Sequence, residues 1–169
     1  GAGNRGKDTY GDWALKNKHR LKFVAVAEPL AARREAFAAA HGLLPERCYL
    51  SWEELFAAGK LADICFIATQ DQLHTAPALA ALDLGYHVLL EKPMAISLAE
   101  CDAIIEACER NQVRLIIGHC HSFDHPYRMA RQLIDEGELG AVRMLNALNF
   151  TDFLYRPRRP EELDTQQGG

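Results

Sequence analysis

No sign of charge dominates this chain. The formal net charge is -4, and no block of like charge runs beyond a few residues, so a nucleic-acid or anionic-membrane surface has no electrostatic support. Long apolar runs are missing too. Stretches such as ICFIAT and HVLL fall far short of the roughly 20 residues that a membrane-spanning helix needs. Cysteine shows no framework pattern: Cys48, Cys65, Cys101, Cys108 and Cys120 are odd in number, widely spaced and without a CxxC pair. That argues against disulfides and suits reduced thiols in a cytoplasmic protein. The first residues do not read as a basic-then-apolar leader, and neither an internal repeat nor a low-complexity tract interrupts the chain. What is present is an ordinary globular composition, 49% hydrophobic and 25% charged over 169 residues. This is enough for one domain and the beginning of a second.

Apolar, strand-like runs alternate with helical patterns. LKFVAVAEP (21–29) is rich in β-branched and aromatic residues and is followed by the alanine-rich LAARREAFAAAHG, which closes on Gly42. YLSWEELFAAGK reads as a short strand and a brief helix, with Ser51 as N-cap and Glu54 completing a capping box. ADICFIATQ is nearly continuous in apolar residues, as expected of a strand buried on both faces. A helix follows in TAPALAALDLG, with Pro77 in its first turn and Gly85 at its end. YHVLLEKP then precedes a helix opened by Ser97 and Glu100, and VRLIIGHC precedes HPYRMARQLIDEGELG. Strands separated by helices of about 10 to 15 residues imply right-handed crossovers and a parallel sheet covered on both faces. The expected class is therefore α/β, with a doubly wound sheet over residues 1–140. Residues 141–169 read as the start of a second domain, where AVRMLNALNFTDFLY alternates like a half-exposed strand and RPRRPEELDTQQGG turns polar.

The opening residues GAGNRG place Gly1, Gly3 and Gly6 in a G-x-G-x-x-G pattern, with Asn4 and Arg5 inside the loop. The first glycine permits a tight turn, the second lets backbone approach a pyrophosphate, and the third lets helix and strand pack closely. KDTYGDWALKNK can begin the helix whose N-terminal amides face the phosphates. The strand KFVAVAEP then ends in Glu28, about twenty residues after the loop, where an acid accepts hydrogen bonds from the adenosine ribose. The spacing is what a Rossmann-type dinucleotide site needs. Such a loop hangs from the central strand of the sheet, so a strand is expected ahead of Gly1. Without it the neighbouring strands are left unpaired and an apolar face is left open. Glu28 repels a 2′-phosphate and favours NAD, while Arg33 and Arg34, a turn further on, leave NADP open.

LLEKPMA ends a buried strand with Glu91, Lys92 and Pro93 at the sheet's carboxyl edge, where open α/β proteins bind ligands. Together with GAGNRG, VAVAEP, IATQDQLHTAPALAALDLG and LIDEGELGAVRML, this segment resembles the glucose-fructose oxidoreductase, inositol dehydrogenase and rhizopine catabolism (Gfo/Idh/MocA) family over essentially all of the chain. The resemblance implies a nicotinamide-dependent dehydrogenase or reductase acting on a sugar, cyclitol or related polyol, working as a homo-oligomer. It implies that residues 141–169 begin an α+β substrate domain. It carries Gly1, Gly3 and Gly6 onto the pyrophosphate loop, Glu28 onto the ribose acid, Thr69 and His74 onto positions near the cofactor, and Glu91 and Lys92 onto the motif at nicotinamide and substrate. Lys92 is the expected catalytic residue, its ammonium hydrogen-bonding the reacting hydroxyl. Two departures stand out. Gln70 follows Thr69 where the family usually has proline, and the family's histidine, the general base, is expected beyond residue 169. FLYRPRRPEELDTQQGG is similar to members acting on aromatic dihydrodiols. The rival reading is a non-catalytic dinucleotide-binding or redox-sensing module.

GHCHSFDH (118–125) gathers His119, Cys120, His121, Asp124 and His125, yet it offers no second ligand pair at knuckle spacing, so no metal is expected. Tyr10, Trp13, Phe23, Phe37 and Phe66 fall within the assigned patterns and read as packing residues.

Overall fold

The computed structural model describes residues 1–148. The chain opens with a loop and a helical segment, π-helical over Arg5–Gly11 and α-helical over Asp12–Lys16 (α1). Strands and helices then alternate: β1 (Val26–Ala27), α2 (Ala31–His41), β2 (Cys48–Tyr49), α3 (Trp52–Ala57), β3 (Ile64–Ile67), α4 (Thr75–Asp83), β4 (His87–Leu90), α5 (Leu98–Arg110), β5 (Leu115–Ile117) and α6 (His125–Asp135).

Helix boundaries follow local chemistry. The Ser51 side chain accepts the Glu54 amide at 3.3 Å, and Ser97 accepts the Glu100 amide at 3.3 Å, so both expected caps form. Their acids close the boxes differently from the usual pattern. Glu54 accepts the Leu50 amide at 2.9 Å, and Glu100 accepts the Ser97 hydroxyl at 3.0 Å.

All strand pairs among the described residues are parallel, in the orders β1-β2 and β3-β4-β5. Among the described residues the expected strand over 21–29 is paired only at Val26 and Ala27. Among the described residues its other edge is unpaired, as is the outer edge of β3, and strand length is set by the partner available. Between them lies an apolar cavity of about 130 Å³ lined by Phe23, Val24, Ala25, Ile64, Cys65 and Phe66, among others. For the same reason β3 is not buried on both faces: Ile67 is 4% exposed but Ile64 is 45% exposed.

The main core lies where α4 and α5 cover β3, β4 and β5. Ala78, Ala81 and Leu82 line the inner face of α4, and Ile104 and Ala107 that of α5, against Ile67, Val88 and Leu90. A smaller cluster of Ala2, Val26 and Phe37, with Phe23 packed on it, anchors the N-terminal loop. Phe23 meets Phe37 and Phe66 edge-on with centroids 5.3 and 5.2 Å apart, as packing residues do. Trp13 departs from that expectation, because it stands exposed with the Arg20 guanidinium 5.5 Å over its ring.

The chain forms two compact units, Gly1–Gly118 and a second that begins at His119. In the second, a turn at Cys120–Phe123 leads into α6 with Pro126 in its first turn. Residues 142–148, where alternation predicts the start of a long strand, pair with no strand among the described residues. The rest of that expected strand and the polar stretch after it lie outside the described residues.

Candidate functional site

The carboxyl ends of the parallel strands bring the glycine loop, Glu28, Thr69 and Glu91 to one edge of the first unit. Within the loop the Lys7 amide donates to the Gly3 carbonyl at 2.8 Å. Gly6 packs directly on Gly1, and a Cβ built on Gly6 would run into the Gly1 carbonyl oxygen. A Cβ on Gly3 would meet only the Arg33 Nη1 at 3.6 Å. The first case is a packing requirement, and the second leaves room beside the loop backbone. Glu28 is 4% exposed, and its carboxylate ties the loop to the end of β1 by accepting the Ala2 amide at 2.7 Å and the Leu30 amide at 3.2 Å. Each carboxylate oxygen keeps acceptor capacity for a further donor. Arg34 is engaged with backbone, donating to the Glu28 carbonyl at 2.6 Å and the Pro29 carbonyl at 3.3 Å.

After β3 the Thr69 hydroxyl donates to the Leu73 carbonyl at 3.0 Å, closing a tight loop. His74 is fully buried, its Nδ1 2.7 Å from the Pro93 carbonyl and its Nε2 3.2 Å from the Thr69 carbonyl. It staples this loop to the segment after Lys92 and exposes no ring nitrogen to a ligand. The Gln72 side-chain oxygen, buried in the same loop, has no hydrogen-bond partner among the described residues.

Glu91, 5% exposed at the end of β4, is bound from several sides, whereas its neighbour Lys92 is exposed. Among the described residues the Lys92 ammonium makes no ion pair or side-chain hydrogen bond, so it is available to a ligand. Tyr10 was expected only to pack. It does pack edge-on against Phe66 at 5.3 Å, but its hydroxyl also donates to Glu91 Oε1 at 2.5 Å. The signal was there in the spacing: Tyr10 lies one helical turn past Gly6, on the face that follows the loop. In the second unit the imidazole of His121 sits 2.8 Å from Asp124, both exposed, and no group of three metal-ligating side chains converges among the described residues.

Residues 1–119 match the family model described as GFO_IDH_MocA, "Oxidoreductase family, NAD-binding Rossmann fold". The chain belongs to the Gfo/Idh/MocA oxidoreductase family. It is 50% identical over 107 residues to 1-carboxy-3-chloro-3,4-dihydroxycyclohexa-1,5-diene dehydrogenase of Comamonas testosteroni, covering 63% of this chain and 27% of that enzyme. Among solved structures it is similar to the WlbA dehydrogenase of Bordetella pertussis in complex with NADH and UDP-GlcNAcA. That match has a TM-score of 0.74 at 27% identity and covers 83% of this chain and 42% of the other. The inositol dehydrogenase homologue of Azotobacter vinelandii, complexed with NADH and myo-inositol, matches with a TM-score of 0.65 at 29% identity, over 73% of this chain and 34% of the other. The chain thus spans well under half the length of these relatives.

The residues present fit the dinucleotide that the family binds. The loop excludes side chains at Gly6 and leaves backbone open at Gly3, a strand-end acid retains acceptor capacity, and Gln72 offers an unmet acceptor on the adjoining loop.

Proposed function

We propose that the whole protein is an NAD-dependent dehydrogenase of a hydroxyl-bearing ring. The narrowest substrate class the comparisons support is a vicinal diol on an unsaturated, carboxylated six-membered ring, within a wider class of cyclitols and sugars. The observation that carries this reading is the Tyr10–Glu91 bond, which sets the phosphate loop against the strand end that presents Lys92. The backbone amides of Gly3, Asn4, Arg5 and Gly6 would hold the diphosphate, Glu28 the adenosine ribose, and Thr69 the loop beside it. Glu28 favours NAD, and Arg33, which reaches beside Gly3, keeps NADP open.

When bound, the nicotinamide supplies the hydride acceptor. Lys92 supplies the polar half of the chemistry. Its exposed ammonium donates a hydrogen bond to the reacting oxygen, holds that carbon in position and stabilises alkoxide character as the hydroxyl proton departs. His74 acts from inside, fixing the loops on either side of Lys92 through the Thr69 and Pro93 carbonyls. The proton released from the hydroxyl passes to a general base that is not among the described residues. The assembled enzyme is a cytoplasmic homo-oligomer. No helix among the described residues is long and apolar enough to cross a membrane.

The test is turnover of a panel of cyclic diols by the full-length protein, followed by nicotinamide absorbance. Lys92→Ala is expected to lower kcat by about 10²- to 10³-fold while NADH affinity holds. A Lys92→Ala protein with full turnover refutes the mechanism. NADH binding without turnover of any diol points instead to a dinucleotide-sensing module.

A further inference from the structure

Glu91 stands at the meeting point of three segments. Tyr10, on the helical segment after the phosphate loop, donates to Oε1 at 2.5 Å, and Arg5, within the loop, holds its Nε 3.6 Å from the same oxygen. The Lys92 amide donates to Oε2 at 3.3 Å. Gly118, at the end of β5, leaves space that the carboxylate fills, since a Cβ there would lie 3.1 to 3.3 Å from its three atoms. The backbone is equally fixed, with the Glu91 amide donating to the Ile67 carbonyl at 3.0 Å and the Gly118 amide to the Leu90 carbonyl at 2.8 Å. The Arg5 side chain is half exposed, so its ion pair is screened and weak. The part-buried, charge-assisted Tyr10 bond is the stronger link.

We propose that Tyr10 and Glu91 form a latch that couples the phosphate loop to Lys92, so that gripping the diphosphate and placing the ammonium are one event. The carboxylate spans the two, with one oxygen on the loop's helix and the other on the Lys92 backbone. Glu91 is a positioning residue in this arrangement, because its carboxylate is already taken up by protein donors. A ligand that orders the loop also orders Lys92, and by reciprocity a broken latch weakens the ligand. The proposal rests on the reading of the loop and of Lys92 given above.

The experiment is a double-mutant cycle on the full-length protein with Tyr10→Phe, Glu91→Gln and the pair, read by NADH fluorescence titration and by kcat and diol KM at saturating NAD. Tyr10→Phe keeps the ring against Phe66 and removes only the hydroxyl, so it folds even where Glu91→Gln does not. Each single variant is expected to bind NADH about tenfold or more weakly and to lose about tenfold in kcat with diol KM little changed. The pair should be no worse than the poorer single variant, because both act on the same bond: Tyr10→Phe removes its donor and Glu91→Gln the charge of its acceptor. A Tyr10→Phe protein with wild-type NADH affinity and kcat overturns the latch, as do strictly additive losses. If the wild type binds NADH but oxidises no diol, the proposed activity fails while the NADH cycle still decides the latch. If it binds no NADH, both fail.

Discussion

Replacing two glycines of one loop by alanine separates a packing role from a binding role. At Gly6 the added methyl would strike the Gly1 carbonyl oxygen, with the carbonyl carbon at 3.1 Å, and both are backbone atoms that cannot swing aside. Overpacking of that kind costs about 3 kcal/mol, a fall of about 10 °C in Tm for a chain of this size. At Gly3 the nearest atom is the end of a flexible arginine at 3.6 Å, and the residue is not among the positive-φ glycines. Alanine there is tolerated by the fold and gains slightly from a less flexible unfolded chain. Its methyl nevertheless occupies the space through which a diphosphate must approach the backbone. Gly3→Ala is therefore expected to melt within a degree or two of wild type and to bind NADH at least tenfold more weakly, about 1.4 kcal/mol. Gly6→Ala should lose both stability and binding. Differential scanning calorimetry paired with NADH fluorescence reads the two effects. Equal Tm losses in the two variants, or wild-type NADH affinity in Gly3→Ala, would refute the assignment.

In the core, Leu82→Ala removes a fully buried side chain and should cost about 3 kcal/mol in urea unfolding, whereas Leu98→Ala, at a position 84% exposed, should cost under about 0.5. Burial pushes the Cys65 thiol from 9.0 up to about 11. The stability linked to it is intact below pH 9 and is lost as the pH climbs from there through about 11, on the order of 2 kcal/mol. Cys65→Ala should lack that component in paired pH-dependent unfolding curves, and identical curves would contradict the assignment.

Local signals were the most legible in the sequence. Ser51 and Ser97 marked helix starts, Gly42 and Gly85 marked helix ends with φ of 64° and 77°, and the βα alternation fixed the fold class. Pairing was less so, because hydrophobicity at residues 21–25 reports a wish to be buried and not the presence of a partner strand. The site divides in the same way. The glycines, Glu28 and Lys92 are proposed from type and spacing alone. The inward turn of His74 toward two carbonyls and the reach of Tyr10 to Glu91, 81 residues away, depend on tertiary placement that no local pattern encodes. Tyr10 in particular looked like core because aromatic residues in a helical pattern usually are, and its hydroxyl is what the pattern does not weigh.

A crystal structure of this protein with NAD bound tests the central claim most directly. Diphosphate oxygens within about 3.2 Å of the backbone amides between Gly3 and Gly6, with the adenosine ribose on Glu28, are the predicted result. A dinucleotide lodged elsewhere, or those amides committed to other partners in its presence, would contradict it.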